Sequence, residues 1–298
     1  MSTHSEHAKE IASKERFEFG KNWLRFLALL TEERVLAAES SIAAMLETST
    51  LAGKSFLDVG SGSGLFSLAA RRLGARVHAL DYDPESVRCT MELRRRYFPD
   101  DPQWTVEEAS ALDKSHLISL GQFDVVYSWG VLHHTGDMWA ALDNVSGLVA
   151  PGGSLFISIY NDQGNTSLRW KKIKRLYNSL PGGLRFLVVA PCFAVLWGPR
   201  FLKDLLRGRP LRNFTTAGAD RGMDLWRDMI DYVGGYPFEV AKPEEIFEFY
   251  KQRGFRLSRL VTAGGSSGCN QFVFRKEGAS LALRGEIVDD AGLVARSA

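Results

Sequence analysis

Cysteine is scarce in this chain of 298 residues. Cys89, Cys192 and Cys269 are odd in number and show no paired spacing, which argues against a disulfide framework and a thiolate zinc site. Charge of one sign is also lacking. Lys and Arg number 37 against 35 Asp and Glu, a formal net charge of +2, so no chain-wide electrostatic case for a nucleic-acid partner follows. Long hydrophobic runs are missing too. The longest, Phe186 to Gly198, is short for a bilayer and contains Pro191. Met1 to Glu10 is polar and has neither the apolar run nor the cleavage site of a secretory signal. No Asp, His and Glu grouping completes a coordination shell, so no metal is expected. These absences make the cytoplasm the expected location.

What is present is globular composition, with 45% hydrophobic and 24% charged residues. Residues 1 to about 14 read as a solvated tail. Glu15 to Leu46 has a helical pattern carrying Phe19, Trp23, Phe26, Leu27 and Leu30, with a second start at Thr31. Strand and helix then alternate. Strands are expected at Ser55–Val59, Arg76–Leu80, Trp104–Glu107, Phe123–Ser128 and Ser154–Tyr160. Helices are expected at Leu65–Leu73, Pro84–Tyr97 and Met138–Leu148. Such alternation implies a mainly parallel sheet with helices on both faces. Asn161 to about Tyr236 breaks it and reads as long and irregular. The pattern resumes with a helix at Pro243–Arg253 and strands at Phe255–Val261 and Gln271–Arg275, and 277–298 reads as a tail.

The first strand runs into Asp58-Val-Gly60-Ser61-Gly62-Ser-Gly64 and then a helix beginning at Leu65. Glycines there permit a tight turn and close approach of backbone to a ligand. The second strand ends at Asp81, where a carboxylate can accept hydrogen bonds from both hydroxyls of a ribose. A phosphate loop would need Lys followed by Ser or Thr, and Leu65-Phe66 stands there instead. A dinucleotide fingerprint would need glycine at 65 or 67, where Leu65 and Ser67 stand. A nucleoside without phosphate fits better. Asp58 would repel pyrophosphate and attract an ammonium group.

LDVGSGSG (Leu57–Gly64) and HALDYDPESV (His78–Val87) resemble the first two motifs of the class I S-adenosylmethionine-dependent methyltransferases. FDVVYSWGVLHH (Phe123–His134) and LVAPGGSLFISIY (Leu148–Tyr160) resemble the fourth and fifth strand regions of that family, and the look is that of its ubiquinone-pathway O-methyltransferase group. The resemblance implies a doubly wound, mostly parallel, seven-stranded Rossmann-like α/β sheet. It implies S-adenosylmethionine as cofactor, with Gly60–Gly64 beneath the amino acid part, Asp81 on the ribose and Tyr82 near the adenine. Ser128, Trp129 and Gly130 would line the methionine side, and Phe19 and Trp23 would close over the cofactor. The family often places an acidic residue near the adenine amino group. Ser110 stands there instead, and backbone groups of Ser110 and Ala111 are the substitutes.

Methyl transfer from a sulfonium needs an acceptor held in line and relieved of its proton. His133 and His134, after the fourth strand, are candidates for that base, His134 being preferred. Tyr160, Asn161 and Asp162 end the fifth strand as a second polar cluster for a substrate hydroxyl. Gln163 to Phe214 holds eleven basic residues, Lys174 among them, against one acid, Asp204, and includes the apolar run. It is expected to form a helical lid suited to an anionic or lipid-like small-molecule acceptor, or to shallow membrane contact. Tyr232 and Tyr236 would complete the pocket wall. The expected division is a helical cap (1–48), the cofactor-binding core (49–162), the lid (163–238), the end of the core (239–276) and a tail (277–298). The leading function is O-methylation of a small molecule. An RNA-modifying enzyme and a non-catalytic cofactor-binding or membrane-associated protein are the alternatives.

Overall fold

The computed structural model describes residues 3–20, 23, 27, 30–206, 225–265 and 268–278. Phe26, the basic residues Arg207, Arg209 and Arg212, and the expected tail beyond 278 lie outside them. Helix α1 (Thr3–Ala12) is followed by a non-helical turn over 13–19, by Gly20, Trp23 and Leu27 in helical conformation, and by α2 (Glu32–Leu46). The sheet is then laid down with its helices. The order is β1 (Ser55–Val59), α3 (Leu65–Arg72), β2 (Arg76–Asp81), α4 (Pro84–Tyr97), β3 (Trp104–Glu108), α5 (Lys114–Ser119), β4 (Phe123–Trp129), α6 (Met138–Gly147) and β5 (Val149–Tyr160). Three helices follow: α7 (Asn165–Ser179), α8 (Phe186–Leu206) and α9 (Leu225–Gly234). The chain closes with α10 (Pro243–Lys251), β6 (Phe255–Val261) and β7 (Cys269–Lys276).

The seven strands run in the order β3-β2-β1-β4-β5-β7-β6. All pairs are parallel except those of β7, which is antiparallel to both β5 and β6. The central strands are buried on both faces, and their near-continuous apolar runs reflect it. One face packs Leu57, Val126, Leu155 and Phe274 against Leu142, Ile246 and Tyr250. The other packs Phe56, Val77 and Phe156 against Ile42, Leu68 and Leu93. Each fully buried side chain of this size contributes about 1.5–3 kcal/mol of transfer free energy. Local chemistry sets the helix starts. Asp83 caps α4 by accepting from Glu85 N–H, with Pro84 in the first turn.

Three expectations need correction. The expected tail holds α1, because His7, Glu10 and Ile11 form its less exposed stripe at helical spacing. The helical pattern expected from Glu15 begins later: residues 15–19 are not helical, and Phe17 N–H donates to Tyr236 O at 2.9 Å, while the second start expected at Thr31 is the N-cap of α2. The stretch read as irregular is largely helical. Its helices share a core of their own, in which Phe17 meets Tyr177, Val188, Val189, Met229 and Val233. Pro191 and Pro199 lie inside α8 rather than ending it. Gly182–Lys203 is consequently long and apolar enough to cross a membrane by length and composition. Val188 and Val189 are nonetheless buried against the neighbouring helices, so one face of α8 belongs to the fold.

Candidate active site

The glycine loop is a backbone device. Gly60 has φ +81°, and a Cβ there would meet Val131 Cγ1 at 2.4 Å. Gly62 has φ +55°, and its N–H donates to Asp81 Oδ2 at 2.8 Å. Asp83 N–H donates to Asp81 Oδ1 at 2.9 Å. The ribose-binding candidate is therefore held rigidly between the ends of β1 and β2, with lone pairs left on both oxygens. Burial pushes its carboxyl up to about 7 against the opposing pull of those two N–H groups. Asp58 is also buried and also pushed up to about 7 by burial, with Ser67 Oγ donating to it at 2.5 Å.

Above the loop lies a chamber of about 1220 Å³. Of the residues expected to bind cofactor, Phe19, Trp23, Asp58, Gly60, Ser61, Gly62, Leu65, Asp81, Tyr82, Ser110, Ala111, Trp129 and Gly130 line it. Trp23 covers the loop, its indole 3.3 Å from where a Gly62 Cβ would stand. Gly64 and Ser128 are not in the wall. Gly64 heads α3 against Thr90, and Ser128 lies under the floor with its hydroxyl donating to Val59 O at 2.8 Å.

His133, His134 and Tyr160 form an aromatic cluster in the wall of the same chamber, with ring centroids 4.0 to 5.5 Å apart. His133 Nδ1 accepts from Tyr160 N–H at 3.3 Å, and burial holds the ring well below the usual histidine range. His134 Nδ1 donates to Pro237 O at 2.5 Å, which leaves the lone pair on Nε2. Burial lowers His134 to about 3, so its ring is neutral. Asn161 and Tyr236 are not in the chamber wall. Asn161 accepts from Asn270 Nδ2 at 3.1 Å and borders a separate cavity of about 20 Å³, shared with Lys174. Tyr236 receives Phe17 through its backbone carbonyl.

The chamber's roof contains residues that the sequence reading passed over. His7, Glu10 and Arg16 come from the segment expected to be a tail or the start of a long helix. The Arg16 guanidinium lies 4.8 Å over the Tyr82 ring and donates to His134 O at 2.9 Å. Leu196 and Trp197 of α8 and Met229 of α9 enter from the insertion. Lys174, expected as one of many surface cations, is 1% exposed. It donates to Tyr232 O and lies 4.8 Å from the Phe238 ring, and burial lowers it to about 7. The available signal was its place among Trp170, Ile173 and Tyr177 on one helix face.

Comparison with known proteins identifies the floor of this chamber. A methyltransferase domain model matches residues 57–155. The match takes in the glycine loop, Asp81 and both histidines, so this part of the chain is similar to a methyltransferase domain. Within the region of this methyltransferase domain, the chain is 36% identical over 112 residues to a ubiquinone biosynthesis O-methyltransferase of Psychrobacter arcticus, covering 37% of this chain and 42% of that one. It is 37% identical over 113 residues to one of Xanthomonas campestris, covering 37% and 45%. The chain thus spans less than half the length of these curated relatives. Among solved structures, the magnesium protoporphyrin IX methyltransferase of Synechocystis PCC 6803 matches with a TM-score of 0.50 at 16% identity, over 82% of this chain and 83% of that one. A (4+2)-cyclase also matches at 0.50, with 11% identity over 81% and 80%. At such identities the likeness is one of fold. The chamber suits the domain's cofactor: a fixed carboxylate for the ribose, a bare glycine loop, and room for a second molecule.

Proposed function

We propose that this protein transfers a methyl group from S-adenosylmethionine to an oxygen of a small-molecule acceptor held between the cofactor and the His134–Tyr160 cluster. The observation that carries this reading is one continuous chamber. Asp81, the glycine loop and a neutral His134, whose Nε2 keeps its lone pair, all line it. The O-methyltransferase names of the relatives support oxygen as the acceptor atom. The cofactor supplies an activated methyl on a positively charged sulfur. Asp81 holds the ribose, and Asp58 faces the ammonium group. Trp129 and Gly130 flank the methionine side, while Phe19 and Trp23 exclude water. His134 accepts the acceptor's O–H through Nε2 and orients the oxygen. S-adenosylmethionine bound there would supply the methyl group, and the methylated oxygen would give up its proton to solvent as product leaves. With its proton affinity so depressed, His134 would position the hydroxyl rather than take its proton. His133 positions Tyr160 from behind.

The insertion acts in this reading as a roof and as a contact with a membrane surface. Leu196 and Trp197 face the chamber, whereas Leu187, Val195, Leu202 and Leu205 of the same helix are exposed. That two-sidedness favours a lipid-like acceptor and peripheral attachment. None of the three cysteines is in a disulfide, which suits a reducing cytoplasm.

Calorimetric titration with S-adenosylmethionine and S-adenosylhomocysteine tests the central claim. Saturable binding is expected, weakened at least about tenfold by Asp81→Ala, since hydrogen bonds to a charged group are worth about 1.5–3 kcal/mol. Folded, ligand-free protein that binds neither compound would overturn it. Flotation with anionic vesicles, lost on Val195→Glu with Leu202→Glu, tests the attachment.

A further inference from the structure

Two buried polar side chains of the insertion stand outside the chamber and reach toward it through another helix. Lys174 and Asn178 lie four residues apart on α7 and are 1% and 2% exposed. Both meet the end of α9. The last carbonyls of a helix have no partner within it and, when buried, must find one elsewhere. Gly235 N–H donates to Asp231 O at 2.9 Å. The Lys174 ammonium donates to Tyr232 O, and Asn178 Nδ2 donates to Gly234 O at 2.7 Å. A cation also suits the negative end of the helix dipole. Asn178 Nδ2 donates to Lys174 O at 2.9 Å as well, which ties the two capping residues together.

The chain that leaves this cap runs along the histidine cluster and holds each member of it. Gly235 lies so close to His134 that a Cβ there would stand 3.2 Å from His134 Cε1. Pro237 O accepts His134 Nδ1–H at 2.5 Å. Glu239 N–H donates to His133 O at 3.0 Å, and Ala241 N–H donates to Tyr160 O at 3.0 Å. The Phe238 ring touches both ends of the arrangement, 4.8 Å from the Lys174 ammonium and 5.2 Å from the Tyr160 ring. Residues 235–241 therefore form a strap whose first anchor is the α9 cap. We propose that Lys174 and Asn178 are positioning residues: by fixing the end of α9 they set the place of this strap, and the strap aims His134 Nε2 and Tyr160 at the acceptor. Neither side chain touches the reacting groups. Without the cap, Pro237 O is free to retreat from Nδ1, and the imidazole loses the bond that fixes its tautomer and direction. The inference rests on the proposed role of His134 and names what sustains it.

The test reads the imidazole itself. In the full chain, isotope-labelled at histidine nitrogen, His134 Nδ1–H is expected to give a downfield ring-proton signal, assigned by its loss in His134→Gln. Lys174→Met and Asn178→Ala are each expected to shift that signal upfield and to speed its exchange with water at least about tenfold, the opening of one buried hydrogen bond. Both are expected to leave S-adenosylhomocysteine affinity within about twofold, because neither side chain lines the chamber. Val189→Ala loosens the same insertion core at a buried side chain that has no polar atom to cap with, and is expected to leave the signal in place. A signal unmoved in folded Lys174→Met and Asn178→Ala would overturn the proposal. Equal movement with Val189→Ala would reduce both residues to packing and overturn it too. If Lys174→Met does not fold, Asn178→Ala decides by the same readings. The signal is read without ligand, so a wild type that fails to bind S-adenosylhomocysteine would defeat the methyltransferase reading and leave the result on the strap standing.

Discussion

The floor and the roof of the chamber are built by opposite means. The floor is backbone: glycines at positive φ, a strand-end carboxylate held by two N–H groups, and a loop pressed against Val131. The roof is side chains borrowed from distant segments: His7 and Arg16 from the beginning of the chain, Leu196 and Trp197 from α8. A floor of this kind tolerates no change of shape but needs few particular side chains. A roof of this kind is free to change its side chains. That difference suits a domain that keeps one cofactor while its acceptors vary.

The largest effect is expected where the floor is tightest. Gly60→Ala would place a methyl 2.4 Å from Val131 Cγ1 at a backbone angle that L-residues rarely adopt. It is expected to cost about 2–4 kcal/mol in denaturant unfolding and to abolish cofactor binding. Gly198→Ala, in the insertion, meets nothing within 4 Å and is expected to stay within about 0.5 kcal/mol. Equal costs would erase the contrast.

The pH response sharpens it next. Burial raises Asp58 and Asp81 to about 7. The folded floor therefore holds protons that the unfolded chain has lost, and its stability falls as pH rises from about 4 to 7. Lys174, buried among the helices of the insertion, has the opposite sign. Burial lowers it to about 7, so the unfolded chain binds more protons and stability rises from pH 7 to about 10. Asp58→Asn is expected to flatten the first slope and Lys174→Met the second, each by about 1–3 kcal/mol across its window. Urea unfolding at pH 5, 7 and 9 would measure both. Lys174→Met is expected to gain most at low pH, with the gain shrinking as pH rises.

Cofactor affinity is expected to move with the floor. A cationic ligand favours ionised Asp58 and Asp81, so S-adenosylmethionine should bind several-fold tighter at pH 8 than at pH 6. Calorimetry at the two values reads the effect, and a flat response would show that the carboxylates stay charged throughout. The smallest effect belongs to the outer face of α8. Leu202→Ser is expected to change unfolding by less than about 0.5 kcal/mol, because that side chain is 55% exposed.

The floor was legible because its signals are local. A glycine loop after an apolar strand, then an acid one strand later, can be read along the chain, and Asp81 and Gly62 do meet. The roof was not, because its residues are brought together only by packing. His7 stands in a polar decapeptide whose stripe of His7, Glu10 and Ile11 is too short to separate from a tail. Lys174 was one cation among eleven, and only the fold shows that it faces inward. Gly and Pro in the insertion suggested irregular chain, yet Pro191 and Pro199 are housed within a helix. The two last strands were visible as strands, but not that β7 enters between β5 and β6.

That final insertion has a consequence for biosynthesis. The cofactor-binding strands leave the ribosome in sequence, but β5, twelve residues long, gains its second partner only when Cys269–Lys276 arrives. Until then the nascent chain presents a long apolar edge, the kind that pairs with other chains. A polypeptide released before residue 269 would keep the whole glycine loop and still be expected to aggregate, so chaperone demand during synthesis falls on the last strand rather than the first.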